Sequence, residues 1–228
     1  MFNNLFNKIN QGISQHGFLY FLKIQTTEFY YKKSFKKLRV DYNVSEITAE
    51  ILNKISTNKD SKLNRASPYY EIKKAFSFSG FNYTDISLLD IGCGFGKVLN
   101  LGMMLNFKEV IGIDLDNSAV EKAFANCLQM QKAGYSCNFK ITQADAASYL
   151  IPDGINLIYL FNPFGKKTME DVVDNIIKYQ HNYKKELYVV YSIPVHEDIF
   201  TAHKQVTKIY ERLDGSKAKS EMAIFRIQ

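Results

Sequence analysis

A glycine-rich bend within residues 88–97 restricts the fold of this chain more than any other feature of its sequence. An apolar run of strand length, residues 86–91, leads into glycines at every second position, Gly92, Gly94 and Gly96. Glycine lets the backbone approach a ligand without a Cβ in the way, and a helix that follows begins with free N–H groups. The pattern therefore predicts a buried strand, a sharp ligand-binding turn and a helix.

The spacing of these glycines distinguishes between two kinds of ligand site. Nicotinamide and flavin enzymes use a G-x-G-x-x-G spacing at such a turn, and the position of its third glycine here holds Lys97. An acid, Asp90, instead stands two residues before Gly92. This pattern disfavours a dinucleotide. A nicotinamide-dependent oxidoreductase stays open, as does an ordinary strand-to-helix turn whose glycines serve tight packing.

The chain around this bend alternates between apolar runs of strand length and helical patterns. Alternation of this kind predicts a parallel sheet with helices on both faces. Asn117 or Ser118 is expected to cap one helix and Gly134 to end it, and Asp214-Gly215 predicts a hairpin between the last two strands. The predicted helices cover residues 70–78, 98–105, 117–132 and 169–179, and the seven predicted strands cover 86–91, 110–114, 137–142, 155–161, 187–193, 206–213 and 222–227.

Acids follow the second and third predicted strands. Asp114 ends the second strand, where a carboxylate can accept hydrogen bonds from both hydroxyls of a ribose. Asp116 is its rival, although it fits the turn before the next helix better. Asp145, after the third strand, fits either a ligand contact or the cap of a short helix.

These motifs together resemble those of class I S-adenosylmethionine-dependent methyltransferases, over about residues 65–228. The resemblance implies a Rossmann-like α/β fold, direct methyl transfer from S-adenosylmethionine and no need for a metal. It also implies that Asp90 meets the ammonium of the methionine end, that Asp114 holds the ribose and that Asp145 holds the adenine. An aromatic before the first strand, Tyr69 or Tyr70, either covers the methionine end or packs in the core. The implied cofactor-binding set comprises Tyr69, Asp90, Gly92, Cys93, Gly94, Phe95, Gly96, Asp114, Leu115, Asp145, Ala146 and Phe161.

The methyl acceptor is expected at the loop after the fourth strand, Asn162-Pro163-Phe164. This loop resembles the Asn-Pro-Pro-Tyr/Phe loop of methyltransferases that act on nitrogen, where an Asn oxygen and a backbone carbonyl orient the acceptor and the aromatic packs on it. The overall pattern also resembles a group of small bacterial class I methyltransferases with a basic helical N-terminus and an Asn-Pro-Phe loop. Because the second proline is missing here, Asn162 could be purely structural, and O-methylation of a glycan or small metabolite stays open. A non-catalytic cofactor-binding subunit is a separate alternative. No general base is obvious near the acceptor loop, and the nearest titratable candidates for that role are His196 and Glu197, after the fifth strand.

The N-terminal part, residues 1–62, is basic, with 10 Lys and Arg against 5 Asp and Glu. Helices are predicted over residues 18–38 and 44–55, and the polar stretch 56–61 is a plausible linker. We therefore expect two units, a helical extension at 1–62 and a methyltransferase domain at 63–228. The first helix has three interpretations: a helix packed on the core with solvated lysines, a surface for nucleic acid with Tyr30 and Tyr31 available to stack, or an interfacial membrane helix.

Composition narrows the class of protein further. The three cysteines and four histidines are scattered, so neither a disulfide framework nor a zinc site is predicted. No apolar run is long enough for a membrane span, and no signal peptide is recognisable. The default expectation is a cytoplasmic protein.

Overall fold

The computed structural model describes residues 18–42, 68–161, 164–213 and 220–228. The strands and helices of these ranges alternate as the apolar pattern predicted, and a short 3₁₀ helix precedes the first strand. In chain order the elements are α1 (Phe18–Lys37), α2 (Tyr69–Ser77), β1 (Ser87–Ile91), α3 (Lys97–Met104), β2 (Glu109–Asp114), α4 (Asn117–Lys132), β3 (Asn138–Gln143), β4 (Leu157–Phe161), α5 (Lys166–Tyr183), β5 (Leu187–Ser192), α6 (Glu197–Thr201), β6 (Val206–Leu213) and β7 (Ser220–Ile227).

The strands form one sheet of seven in the order β3-β2-β1-β4-β5-β7-β6. The pairs among β1 to β5 are parallel, whereas β7 is antiparallel to both β5 and β6. The predicted fold class, a mostly parallel Rossmann-like sheet that ends in an antiparallel pair, is therefore confirmed.

Side chains alternate between the two faces of this sheet. Leu88 and Val110 pack in one cluster with residues of α1 to α4, whereas Leu89 and Ile111 pack in another with residues of α5 and α6. Because both faces are covered, the central parallel strands β1, β2, β4 and β5 are mostly buried and apolar. The edge strand β3 instead alternates polar and apolar residues and has no fully buried position. This explains why the central strands appeared in the sequence as continuous apolar runs.

The structure departs from the predicted elements in a few places. Asp116 caps α4, because its side chain accepts the backbone N–H of Ser118, so the expected cap at Asn117 or Ser118 was wrong. Helix α5 is longer than predicted, and the five-residue α6 is too short to produce a period in the sequence. The predicted helix over 44–55, the linker over 56–61 and the hairpin turn from Asp214 lie outside the described residues.

Three further observations concern the described part of the chain. None of its helices is both long and apolar enough to cross a membrane. Across the same ranges, no group of three or more His, Cys, Asp or Glu side chains is placed to hold a metal ion. The three cysteines, all buried, are free thiols.

Candidate functional site

The strand order reverses at β1, which lies between β2 and β4. In open α/β sheets, ligands bind in the crevice at the carboxyl ends of the strands beside such a reversal. Asp90 is the penultimate residue of β1, Asp114 the last residue of β2 and Phe161 the last residue of β4. The sheet therefore brings three of the predicted site residues to one edge.

The glycine bend lies at this edge and is tied to the end of β2. Gly92, Gly94 and Gly96 have φ angles of 77°, 51° and 77°, in the left-handed region that glycine adopts without strain. The N–H groups of Gly92 and Cys93 both donate to the carbonyl of Ile113, each at 2.9 Å. The bend is thus a fixed turn that leads directly into α3, as its spacing predicted.

Gly96 also separates α3 from α4. A Cβ at this position would lie 3.3 Å from the Cβ of Ala123, whereas a Cβ at Gly134, where φ is +96°, would meet nothing within 4 Å. We expect Gly134→Ala to lower the free energy of unfolding by about 1–2 kcal/mol, through backbone strain alone. Gly96→Ala should lower it further, because packing strain adds to backbone strain. Urea denaturation of the two variants measures the difference, and equal losses would contradict a packing role for Gly96.

Asp90 is the most unusual side chain of the site. It is 2 % exposed, and its Oδ2 has no hydrogen-bond partner among the described residues. Burial raises the pKa of this carboxyl well above its usual value, and the nearby carboxylate of Asp114 raises it further. A buried carboxylate without a partner is unfavourable unless a ligand satisfies it. The position therefore fits a ligand with a cationic or hydrogen-bond-donating group.

Asp114 is held in place by two backbone donors. Its Oδ2 accepts the N–H of Gly94 at 2.9 Å, and its Oδ1 accepts the N–H of Asp116 at 3.0 Å. Burial raises the pKa of Asp114, while these two hydrogen bonds oppose the shift. Since a carboxylate has about four acceptor positions, both oxygens can still accept from a ligand. Asp116, the rival, is occupied as the cap of α4, and the neighbouring Leu115 is 55 % exposed.

The predicted adenine position follows β3. Asp145 is exposed, and its Oδ1 accepts the N–H of Ala147 at 3.0 Å, which closes a short turn, while Ala146 is buried. The alternative that Asp145 caps a short helix was wrong, because residues 146–148 form a turn and no helix lies between β3 and β4. The contact of Asp145 and Ala146 with adenine stays a prediction.

Tyr69 lies in the core beside the bend. It is 1 % exposed, with ring centroids 5.0 Å from Tyr31 and 5.4 Å from Phe35 of α1. The Nζ of Lys97 lies 3.9 Å from the centroid of the Tyr69 ring and 4.0 Å from the Oε1 of Glu28. Burial lowers the pKa of Lys97 to about 8, and Glu28 opposes this shift. The role of Tyr69 toward a cofactor stays a prediction. Lys97, which replaces the third glycine of the dinucleotide pattern, contacts α1 through its ion pair with Glu28.

Two polar residues that the sequence did not single out connect α1 and its C-terminal extension to the bend. Glu28 pairs with Lys97, and Asn126 of α4 donates to the carbonyls of Phe95 at 3.0 Å and Asp41 at 2.9 Å. Both had a signal in the sequence. Glu28 is the lone acid of residues 18–40, and Asn126 stands on the helix face of buried Ala119, Ala123 and Met130.

The predicted acceptor loop is described only at its borders. Asn162 and Pro163 lie outside the described residues, while Phe161 and Phe164 are half-buried and pack against opposite faces of the sheet. Glu197 pairs with Lys208 at 3.4 Å, and His196 precedes α6. The roles of Asn162, Pro163, Phe164 and these two titratable groups stay predictions.

Comparison with known proteins establishes the fold. No protein-family model and no curated protein sequence matches the chain. A SAM-dependent methyltransferase from Aquifex aeolicus is similar in structure, with a TM-score of 0.53 and 14% identity over 69% of this chain and 90% of that one. A dimethyladenosine transferase from Plasmodium falciparum is similar with a TM-score of 0.52 and 18% identity, over 72% of this chain and 62% of that one. A protein of the NADB-Rossmann superfamily from Streptococcus agalactiae is similar with a TM-score of 0.51 and 15% identity, over 74% of this chain and 70% of that one.

Proposed function

We propose that the chain is an S-adenosylmethionine-dependent methyltransferase that acts on a nitrogen of a protein or nucleic acid. The observation that carries the proposal is the buried carboxylate of Asp90, whose Oδ2 has no partner among the described residues, at the mouth of a glycine bend. A dinucleotide would place its anionic pyrophosphate at this bend, where a buried carboxylate is unfavourable, whereas the methionine end of S-adenosylmethionine carries an ammonium. The similar methyltransferase structures support the same assignment.

The three acids of the predicted site bind different parts of the cofactor in this proposal. Asp90 accepts hydrogen bonds from the ammonium, and the backbone of residues 92–96 passes close to the methionine end. Asp114, oriented by Gly94 and Asp116, accepts from the ribose hydroxyls. Asp145 and Ala146 contact the adenine. The cofactor supplies a methyl group that is already activated on a sulfonium, so the chain has mainly to hold the acceptor in line and to exclude water.

The acceptor is assigned to the loop after β4. The side-chain oxygen of Asn162 and a backbone carbonyl accept hydrogen bonds from the acceptor nitrogen, and Phe164 packs against its ring or chain. Such hydrogen bonds turn a nitrogen lone pair toward the methyl group, which requires no general base when the nitrogen is neutral. The likeness to a dimethyladenosine transferase makes an adenine nitrogen one acceptor to test.

Ligand binding tests the proposal first. S-adenosylhomocysteine at about a hundredfold excess over its dissociation constant should add about 2.7 kcal/mol to the free energy of unfolding and raise the melting temperature. NAD and NADH should have no effect. Methyl-labelled cofactor, incubated with separate RNA, protein, glycan and metabolite fractions, then identifies the acceptor. Stabilisation by NADH in place of S-adenosylhomocysteine would refute the proposal.

Asn162→Ala separates acceptor positioning from cofactor binding. We expect the rate of methyl transfer to fall about a hundredfold, because misplacement of the acceptor by about 1 Å has an effect of that size. The affinity for S-adenosylhomocysteine, measured by calorimetry, should not change. Asn82→Ala is the matched control, since Asn82 is exposed at the opposite edge of the sheet. An unchanged rate in Asn162→Ala would leave Asn162 a structural residue.

A further inference from the structure

A groove of about 550 Å³ lies between α1 and α2 and reaches the turn before β1. Four tyrosines, two lysines, two threonines and one serine line it, with no carboxylate among these residues. None of them is a residue of the bend, and the turn before β1 lies at the opposite end of that strand from Asp90. The groove is therefore a second concave surface, whose lining shares no residue with the predicted cofactor-binding set.

The aromatic rings of the groove differ in their availability. Tyr30 is 61 % exposed and is held edge-on against Tyr31, with ring centroids 5.1 Å apart. Tyr31 is 5 % exposed and packs on Tyr69, so the expectation that both rings are available to stack was wrong for Tyr31. Tyr70 and Tyr83 are half-buried at the groove wall. The ring of Tyr30 is thus exposed to solvent, while its contact with the buried Tyr31 restrains its position.

The charges of the groove are uniformly positive. The charged residues that line it are Lys73, which is exposed, and Lys74. The acids of the two helices are mostly buried, and they pair with other cations: Glu28 with Lys97 and Lys32, and Glu71 with Arg212. Neither carboxylate therefore neutralises Lys73 or Lys74 through an ion pair among the described residues. The groove complements a polyanion.

A membrane surface does not fit the same groove. The exposed apolar side chains of α1, Phe18, Leu19, Leu22 and Phe29, do not line it. An interfacial helix inserts a convex apolar face into the bilayer, whereas this surface is concave and lined by hydroxyl groups. Single-stranded nucleic acid offers flat bases for tyrosine rings, phosphates for lysines and hydrogen-bonding groups for hydroxyls.

We propose that the groove between α1 and α2 binds a single-stranded nucleic acid segment, with a base stacked on Tyr30 and a phosphate at Lys73. The site is independent of the cofactor crevice, so binding does not require methyl transfer. It also assigns a partner to the basic N-terminal part of the chain.

Fluorescence anisotropy with a labelled single-stranded RNA of mixed sequence tests the proposal on the full chain. Tyr30→Ala should weaken binding roughly tenfold, the size of one base-stacking contact, whereas Tyr30→Phe should bind like the wild type. Lys73→Ala should lower the slope of log affinity against log salt by about 0.7, the value of one phosphate contact to a single strand. Lys178→Ala on α5, an exposed lysine on the other face of the sheet, is the matched control and should change neither quantity.

Three outcomes would overturn the proposal. The first is no measurable affinity for the RNA, and the second is equal affinity of the wild type and Tyr30→Ala. The third is co-sedimentation of the chain with phosphatidylserine vesicles that Tyr30→Ala and Lys73→Ala abolish while RNA binding persists. Calorimetry with S-adenosylhomocysteine on Tyr30→Ala keeps the two proposals apart, since cofactor affinity should be unchanged there.

Discussion

Asp90→Asn is expected to weaken the binding of S-adenosylhomocysteine about ten- to hundredfold while leaving the fold at least as stable as before. The affinity falls because a hydrogen bond to a charged group contributes about 1.5–3 kcal/mol. The fold does not suffer, because the carboxylate that is removed is buried and its Oδ2 has no partner among the described residues. Calorimetry and urea denaturation of the same variant measure the two effects.

The difference in stability between this variant and the wild type should depend on pH in a defined direction. Burial and Asp114 raise the pKa of Asp90, so the folded chain without ligand keeps this proton to higher pH than the unfolded chain does. The contribution of Asp90 to the free energy of unfolding therefore falls as pH rises above about 4, the value in unfolded chains. Asp90→Asn removes this fall, and its stability relative to the wild type should increase with pH over that range.

Asp171→Asn provides the control for both measurements. Asp171 is exposed on α5, so its replacement should change neither the affinity nor the pH dependence of stability. An Asp90→Asn variant that binds S-adenosylhomocysteine as tightly as the wild type would remove Asp90 from the cofactor site. A variant less stable than the wild type at every pH would mean that the carboxylate has a structural partner.

The sheet and the bend were predictable because their signals are local. Left-handed φ angles are adopted readily by glycine, so Gly92, Gly94 and Gly96 already specify a turn. Burial on both faces makes the central parallel strands β1, β2, β4 and β5 apolar runs, which the sequence displays directly. The acids at the ends of β1 and β2 follow from the strand assignment, since the carboxyl ends of parallel strands lie at one edge.

Contacts between distant parts of the chain were not predictable in this way. Tyr31, Phe35 and Leu38 recur at helical spacing, which predicts one apolar face of α1 but does not show what covers it. Tyr31 was therefore compatible with both core packing and stacking. Its burial against Tyr69 depends on α2, and the position of α2 depends on the sheet. The ion pair of Glu28 with Lys97 has the same origin. Sequence spacing cannot reveal such pairs, because only the fold brings them together.

Arg212→Ala is expected to lower the free energy of unfolding by about 3–5 kcal/mol, because it leaves a buried charge without its partner. Glu71 of α2 is 2 % exposed, and its Oε2 lies 3.2 Å from the Nε of Arg212. The other oxygen of Glu71 accepts the hydroxyl of Tyr20 on α1. Arg212 on β6 also donates to that hydroxyl at 3.0 Å and pairs with Glu221 of β7 at 2.8 Å. One guanidinium thus connects two helices to the C-terminal strands.

Urea denaturation of three variants separates a buried charge from an ordinary ion pair. Lys122→Ala removes the more exposed pair with Asp41, at 2.9 Å, and should change stability by no more than about 1 kcal/mol. The double variant Glu71→Leu, Arg212→Met removes both buried charges together and should recover much of the loss seen in Arg212→Ala. A loss in Arg212→Ala as small as that in Lys122→Ala would mean that water solvates Glu71 and that the network does not hold α1 and α2 to the sheet.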